Sequence, residues 1–320
     1  ILLLGKNLLE NLLPHNIMGI TCLLCKSNDN IHIYGYEGDF FSCKSINLCK
    51  KCNLSFANDL PDEEDLRKYY SGGLYYDQVE KPFDQNFIEF SHKLAMSRLR
   101  LIENNIIIKN SYNVLDIGAG NSMFGVAINE KYDEVNYDAV EADPKIRNKY
   151  GDWVSRQYND ISEVVTRNYN LIVMNQLLEH LPNPIRFLED VCKLLIINGF
   201  IFIDVPYKDY LFKPTVVPHL LFWDPKSMAS LVEKLGLKMI FCDTVGMPHE
   251  KAKQFFNQQR FFEKIFNHWL YENKINRLMK KMKLPNKFNT FRQFQADQYG
   301  GERHWLRCIA QKVNNKSAKH

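Results

Sequence analysis

The sequence predicts an α/β protein built on a mostly parallel sheet with helices on both faces, preceded by a small metal-binding ribbon. Three observations carry this. Residues 114–125 read as a buried strand, a glycine turn and the start of a helix. From residue 84 onward, short apolar runs alternate with segments of helical period, the pattern of a parallel sheet with right-handed crossovers. Outside that alternation lie two matched cysteine knuckles, Cys22-x-x-Cys25 and Cys49-x-x-Cys52.

Val114, Leu115 and Ile117 suit a strand covered on both faces. Gly118 and Gly120 carry no Cβ, so the backbone can turn sharply and approach a ligand closely. Asn121 or Ser122 is placed to cap the next helix. A dinucleotide fingerprint needs a third glycine three residues after the second, and that position is Met123. Asp116 at the strand end would repel a pyrophosphate, but it suits a ligand carrying an ammonium group, such as S-adenosylmethionine. Glu141 ends the next strand, where an acid can accept both ribose hydroxyls.

The ordered set Asp116-Ile117-Gly118-Ala119-Gly120, then Val140-Glu141-Ala142-Asp143, then Leu177-Leu178-Glu179-His180-Leu181-Pro182-Asn183-Pro184 resembles the class I S-adenosylmethionine-dependent methyltransferases. The resemblance covers roughly residues 84–245 and a last strand near the C-terminus. It implies a Rossmann-like, seven-stranded, mostly parallel sheet. The cofactor set it implies is Asp116, Gly118, Ala119, Gly120, Glu141, Ala142, Asp160, Ile161, Asn175 and Gln176. Asp160 takes the place at which the family holds the adenine amino group. It could equally cap a helix over residues 161–165, or do both.

The remaining elements follow from period and punctuation. Residues 84–105 form a helix with Phe87, Phe90, Leu94, Met96, Leu99 and Leu101 largely on one side. Helix 122–131 and strand 135–140 follow, and Asp143-Pro144 opens a helix. Residues 153–158 and 169–174 are the third and fourth strands. Residues 185–196 are helical, ended by Asn198-Gly199, and 200–205 are the fifth strand. Asp224-Pro225 caps a helix that ends at Gly236, and 237–243 are the sixth strand. An insertion, 247–301, interrupts the hairpin into the last strand, 304–311. Its Phe255, Phe256, Phe261, Phe262, Phe266, Trp269 and Leu270 recur at helical spacing, backed by a basic run from Lys274 to Lys287. Such a helix packs one face and solvates the other, though a dimer contact, a lid or an anion patch would use the same pattern.

Three side chains are candidates for chemistry. Glu179 and His180 follow the fourth strand and could act as a base and its orienting acid, or could simply hold the loop. His219 lies in the aromatic loop 207–223, which leaves the same sheet face as the cofactor loops. A neutral imidazole there can take a hydroxyl proton near pH 7, or it can fix the loop. Methyl transfer from a sulfonium depends mainly on alignment, so a base is needed only when the acceptor must lose a proton.

Five of the eight cysteines fall between positions 22 and 52. Cys22, Cys25, Cys49 and Cys52 supply four thiolates at the spacing of a closed, structural zinc site. Cys43 has no knuckle partner and reads as a buried free thiol. The domains expected are an N-terminal amphipathic helix over 1–20, a zinc ribbon over 21–58 and a linker or lid over 59–83. The methyltransferase core spans 84–246 and 302–313, with the helical insertion at 247–301 and a polar tail at 314–320. A ribbon joined to the core by a tyrosine-rich element is similar to family members that modify sugars or other small metabolites.

Composition is ordinary for a globular chain: 320 residues, 45% hydrophobic, 24% charged, net charge +4. That charge is too slight to argue for nucleic acid. No apolar run approaches the ~18 residues of a membrane span. Residues 1–13 lack the basic start and cleavage site of a signal peptide, so a soluble, cytoplasmic chain is expected, with a homodimer possible. The expected function is methylation, at O or C, of a small molecule: a sugar, nucleotide-sugar or cell-surface polysaccharide precursor. The alternatives are a non-catalytic cofactor-binding assembly protein and a methyltransferase acting on RNA or protein. An Asn-Pro-Pro-Tyr signature is absent after the fourth strand, which argues against adenine or glutamine acceptors.

Overall fold

The structure, a computed structural model, describes residues 20–36, 41, 43–71, 85–165, 168–257 and 295–314. The N-terminal helix, the tyrosine-rich stretch beyond residue 71 and most of the 247–301 insertion therefore lie outside the described residues. In chain order, the ribbon supplies strands β1 (Asn30–Gly35), β2 (Ser45–Cys49) and β3 (Ser55–Ala57), followed by helix α1 (Glu63–Ser71). Asp62 accepts from the Asp65 N–H at 2.8 Å, the first-turn cap that its position predicts. Then come α2 (Gln85–Asn105), β4 (Asn113–Ile117), α3 (Met123–Asn129), β5 (Asn136–Val140), α4 (Pro144–Arg147), β6 (Arg156–Tyr158) and β7 (Tyr169–Asn175). The chain continues through α5 (Pro184–Leu194), β8 (Leu195–Pro206), β9 (Leu221–Phe222), α6 (Pro225–Lys234), β10 (Leu237–Pro248) and β11 (Arg303–Lys312).

Seven strands form one sheet in the order β10-β11-β8-β7-β4-β5-β6. The strands from β8 to β6 are parallel, and β11 enters antiparallel between β8 and β10. The period of two sorts side chains between two cores. Val114, Leu171, Val173 and Phe202 pack with Leu99 and Ile102 of α2 and Phe124 of α3 on one face. Leu115, Ile117, Ile172, Met174 and Ile203 pack with Leu188 of α5 and Met228 and Leu231 of α6 on the other. Strand order reverses at β4, between β5 and β7, and the helices that follow β4 and β7, α3 and α5, pack on opposite faces of the sheet. Crevices at such switch points are where open α/β sheets bind ligands.

Several boundaries differ from expectation: the third strand spans only Arg156–Tyr158, and the sixth runs past residue 243 to Pro248, into the expected insertion. The helix read as 185–196 stops at Leu194, and β8 begins at Leu195. Leu195 pairs with Tyr169 before the register shifts to Leu171↔Phe200, so an apolar run that looks helical is claimed by sheet pairing. Ser122 does not cap α3. It sits in the left-handed region at φ 53° with no capping hydrogen bond, and its Oγ instead accepts from Trp153 Nε1 at 2.8 Å.

The ribbon does not stand apart. Strand β9, from the loop between β8 and α6, adds to β3 through Ser55↔Phe222 and Phe56↔Leu221. Asn53 donates to Asp224 at 3.2 Å, and Ser55 Oγ meets Tyr210 Oη at 3.2 Å. Tyr69 of α1 is buried against Phe41 and Tyr70, while Tyr70 sets its ring edge-on to His180 at 5.6 Å. These two tyrosines pack ribbon to core.

Candidate functional site

Two residues before Gly118, Asp116 is the penultimate residue of β4, next to its final residue Ile117, and is almost fully buried. Its Oδ2 accepts from Tyr137 Oη at 2.6 Å, and its Oδ1 has no hydrogen-bond partner among the described residues. Burial pushes its carboxyl up to about 7, against the opposing pull of the Tyr137 hydroxyl and the Arg98 guanidinium. Gly118, at φ +73°, leaves room for Leu177, whose Cδ1 would lie 3.2 Å from any added Cβ. The turn after β4 and the turn after β7 thus touch.

Gly125 makes room for Tyr137: a Cβ there would lie 2.4 Å from its ring. Gly125→Ala must therefore push the ring off Asp116 or shift α3. We expect a loss of about 1–3 kcal/mol, the usual range for overpacking, read as a lower urea midpoint.

Glu141, buried at the end of β5, accepts from the Gly120 N–H at 2.9 Å and the Asp143 N–H at 3.0 Å. These bonds fix the turn. Tyr150 Oη donates to the Gly120 carbonyl at 2.8 Å, bracing the turn from the far side. Ala119 and Ala142 are half-buried beside these groups in the chain. Asp160 is exposed, and its side chain accepts from Ser162 N at 2.9 Å to cap a short 3-10 turn over Ile161–Glu163. The capping reading of Asp160 is thus present in the structure.

After β7, Gln176 takes φ +55°, and its N–H donates to the Asp204 carbonyl at 2.7 Å. The Asn175 Oδ1 is buried without a hydrogen-bond partner among the described residues. Asp204 leads to a group that sequence reasoning missed. Its Oδ2 accepts from Arg98 Nε at 2.7 Å and Arg307 Nε at 3.1 Å, and Arg307 is fully buried. The available signal was a charge inside each apolar strand: Asp204 after Phe202-Ile203, and Arg307 between Leu306 and Cys308.

The three chemical candidates do come together. Glu179 and His180 lie in a short turn after β7, and the His180 and His219 rings meet edge to face at 4.9 Å. One ligand atom from each of Glu179, His180 and His219 lies within 4.8 Å of the others. The Leu220 N–H donates to the Glu179 carbonyl at 2.7 Å, tying the two loops. His219 Nδ1 contacts Asp209 Oδ2 at 2.7 Å, and Lys213 Nζ reaches the same oxygen at 2.9 Å. Asp209 was not singled out by sequence.

Burial sets the protonation states here. It pushes Glu179 well above the usual carboxylate range, with the Asp209 charge adding to the effect. Burial also holds His180 well below the ordinary histidine value, helped by His219. His219 is lowered by burial too, with Asp209 opposing. Asp209 is raised by burial, but Lys213 and His219 outweigh that and keep it below its ordinary value. Both imidazoles are thus neutral, and Asp209 is ionised.

In the ribbon, Cys22 and Cys52 sulfurs lie 3.6 Å apart and Cys25 and Cys49 sulfurs 3.4 Å apart. All four lie within 4.8 Å of one another. A tetrahedral zinc with Zn–S bonds of about 2.3 Å separates its sulfurs by about 3.8 Å, so the four fit that ion. The hydrogen bond from Cys52 draws Cys22 down to about 5, against burial, while it pushes Cys52 up. Cys43 is buried outside this cluster, its thiol raised to about 11 by burial.

Residues 87–241 match a family model described as a methyltransferase domain. No curated protein matches the chain in sequence. Among solved structures, the chain is similar to coclaurine N-methyltransferase bound to N-methylheliamine and SAH, at 16% identity and TM-score 0.44, covering 69% of this chain and 72% of that one. It is similar to phosphoethanolamine N-methyltransferase 2 of Haemonchus contortus in complex with S-adenosyl-L-methionine, at 11% identity and TM-score 0.47, covering 81% of this chain and 62% of that one. A SAM-dependent methyltransferase from Archaeoglobus fulgidus is similar at 15% identity and TM-score 0.46, covering 72% of this chain and all of that one (100%). No helix among the described residues is long and apolar enough to cross a membrane. Residues 87–241, just under half of the chain, thus match a methyltransferase-domain model, and they lie within the seven-stranded, mostly parallel Rossmann-like sheet.

Proposed function

We propose that the protein transfers a methyl group from S-adenosylmethionine to a hydroxyl of a small molecule, a sugar, nucleotide-sugar or polysaccharide precursor. The observation that supports this most is the Glu179–His180–His219 cluster, which begins two residues after the Leu177 that packs on Gly118, with Asp209 against His219. The cofactor supplies a methyl group already activated by positive sulfur. The chain's residues have to hold donor and acceptor in line. Asp116, with its unused Oδ1, receives the cofactor's ammonium group. Glu141 receives the ribose hydroxyls, and Asn175 and Gln176 line the methionine half. Asp160 and Ile161, at the carboxyl end of β6, take the adenine. In the metal-free chain, Asp209 holds the Nδ1 proton of His219, so Nε2 is the ring nitrogen left to accept a hydroxyl proton. The four ribbon cysteines hold a structural zinc.

The test is product mass after incubation with S-adenosylmethionine and a panel of nucleotide-sugars. A gain of one methyl on a panel member supports the reading. Methyl transfer only to RNA or protein, or cofactor binding with no acceptor modified, defeats it.

The Asp116 assignment carries its own pH dependence. The carboxyl titrates near 7 in the free chain, while an ammonium needs the ionised form. Below about pH 7 a proton must leave when cofactor binds, so affinity falls toward about tenfold per pH unit. Above about pH 8 the cofactor's own amine loses its proton, and affinity falls again. Calorimetry across that range should show the rise and fall, and Asp116→Asn should remove the acid limb. An acid limb unchanged in that variant places the ammonium elsewhere.

A further inference from the structure

We infer that Glu179, His180 and His219 form a second metal site, one that holds a divalent cation with two nitrogens and a carboxylate. The first reason is Glu179. It is 1% exposed, and neither carboxylate oxygen has a hydrogen-bond partner among the described residues. A buried polar group without a partner is costly, and native proteins rarely leave one without a ligand, an ion or a role. The nearest polar atom of the cluster is His180 Nε2, 3.8 Å from Glu179 Oε1.

The second reason is how the imidazoles are held. His180 Nδ1 faces the Pro218 carbonyl at 3.4 Å. A carbonyl only accepts, so the proton sits on Nδ1 and the lone pair on Nε2, the nitrogen turned to Glu179. His219 Nδ1 donates to Asp209 at 2.7 Å, which again leaves Nε2 with the lone pair. Metal-binding histidines are oriented in this way, their other ring N–H given to a carboxylate or a backbone carbonyl. Both histidines have that arrangement, one of each kind.

The third reason is geometry. Donors on bonds of about 2.1 Å at a tetrahedral angle stand about 3.4 Å apart. The Glu179–His180 pair at 3.8 Å is nearly there, and no two ligand atoms of the set are more than 4.8 Å apart. Unlike the ribbon's four thiolates, three protein donors leave coordination positions open. Mixed nitrogen and oxygen donors suit zinc, manganese, iron or cobalt.

In the loop that follows Leu177, the residue packed on Gly118, such a cation has a use. An acceptor oxygen filling an open position would be fixed in place and its hydroxyl made more acidic. That use rests on the methyltransferase reading, whereas the site itself does not. With the cation bound, the two imidazoles are ligands, and the acid strength of the hydroxyl comes from the metal rather than from a histidine base.

The experiment titrates the full chain, loaded with a single equivalent of zinc for the four ribbon thiolates, with Mn2+, followed by the electron paramagnetic resonance of free Mn2+, and with Co2+, followed by visible absorption. Mn2+ avoids the thiolates, so one Mn2+ site per chain is expected. The Co2+ bands should lack sulfur charge transfer. Glu179→Gln and His219→Ala should each abolish Mn2+ binding with ribbon zinc unchanged. Asp209→Asn, a change at the carboxylate that orients His219, should weaken it about 10–100-fold. Absence of any site in the wild-type chain overturns the proposal, and so does a site whose affinity ignores all three variants. Cofactor calorimetry on the same samples keeps the two readings apart. Methyl transfer at full rate with one zinc per chain and the second site empty would reject the cation's part in the reaction, while a cation bound without cofactor affinity would reject the methyltransferase reading alone.

Discussion

Cys49→Ser should release the ribbon metal, melt the ribbon and lower turnover at a site the ribbon never touches with its own cysteines. The four sulfurs converge on one point, and a three-strand ribbon buries too little apolar area to fold well alone. Structural zinc in small modules contributes about 10–16 kcal/mol of apparent binding free energy, and loss of one thiolate forfeits most of it. The effect should not stop there. Strand β9 is bonded to β3, the Ala57 N–H donates to the Leu220 carbonyl at 2.8 Å, and His219 is the residue before Leu220. Melting the ribbon therefore frees the segment that holds His219 against His180. We expect zinc to fall by one per chain, amide exchange of residues 45–57 to lose protection, and turnover to drop more than tenfold. Cofactor affinity should stay within about threefold, because β4 and β5 are held by the large sheet. Full turnover in a zinc-free variant would show that the ribbon does not position His219.

The sheet and the ribbon were legible because each rests on local chemistry. Gly118 and Gly120 mark a turn whatever surrounds them, and two matched knuckles can converge on one ion. Strand and helix periods announced β4, β5 and β7 for the same reason. What escaped was long-range pairing. Leu195 looks helical from its neighbours and becomes strand only because Tyr169 lies across from it. Asp209 has no motif of its own, and its role appears only when the chain folds back to set it 2.7 Å from His219. Ser122 was expected at a helix start, but Trp153, 31 residues away, takes its hydroxyl. The joining of ribbon to β9 left no sign, since two residues are too few for a strand period.

Asp204→Ala should be the most destabilising single change in the core, and it should also move the pH at which cofactor binds. Asp204 is fully buried and sits between Arg98 and Arg307. Removing it leaves two guanidiniums facing each other with no anion between them. Breaking a buried ion pair by deleting one partner costs about 3–5 kcal/mol, because the surviving charge is stranded. Arg307 keeps hydrogen bonds to Ser97 Oγ and the Ala296 carbonyl, which offset part of the loss but neutralise nothing. Arg98 also acts on Asp116, whose carboxyl its charge lowers. Relieved of Asp204, Arg98 acts on Asp116 more strongly and favours its ionised form. The value near 7 should fall, and the acid limb of cofactor affinity should shift to lower pH. Asp204→Asn keeps the shape and loses only the charge, so it separates the electrostatic effect from a packing defect. Urea unfolding reads the stability, and calorimetry across pH reads the shift. A stability loss without that shift in the asparagine variant would mean that Arg98 and Asp116 are not coupled, leaving the buried triad as a purely structural brace between α2, β8 and β11.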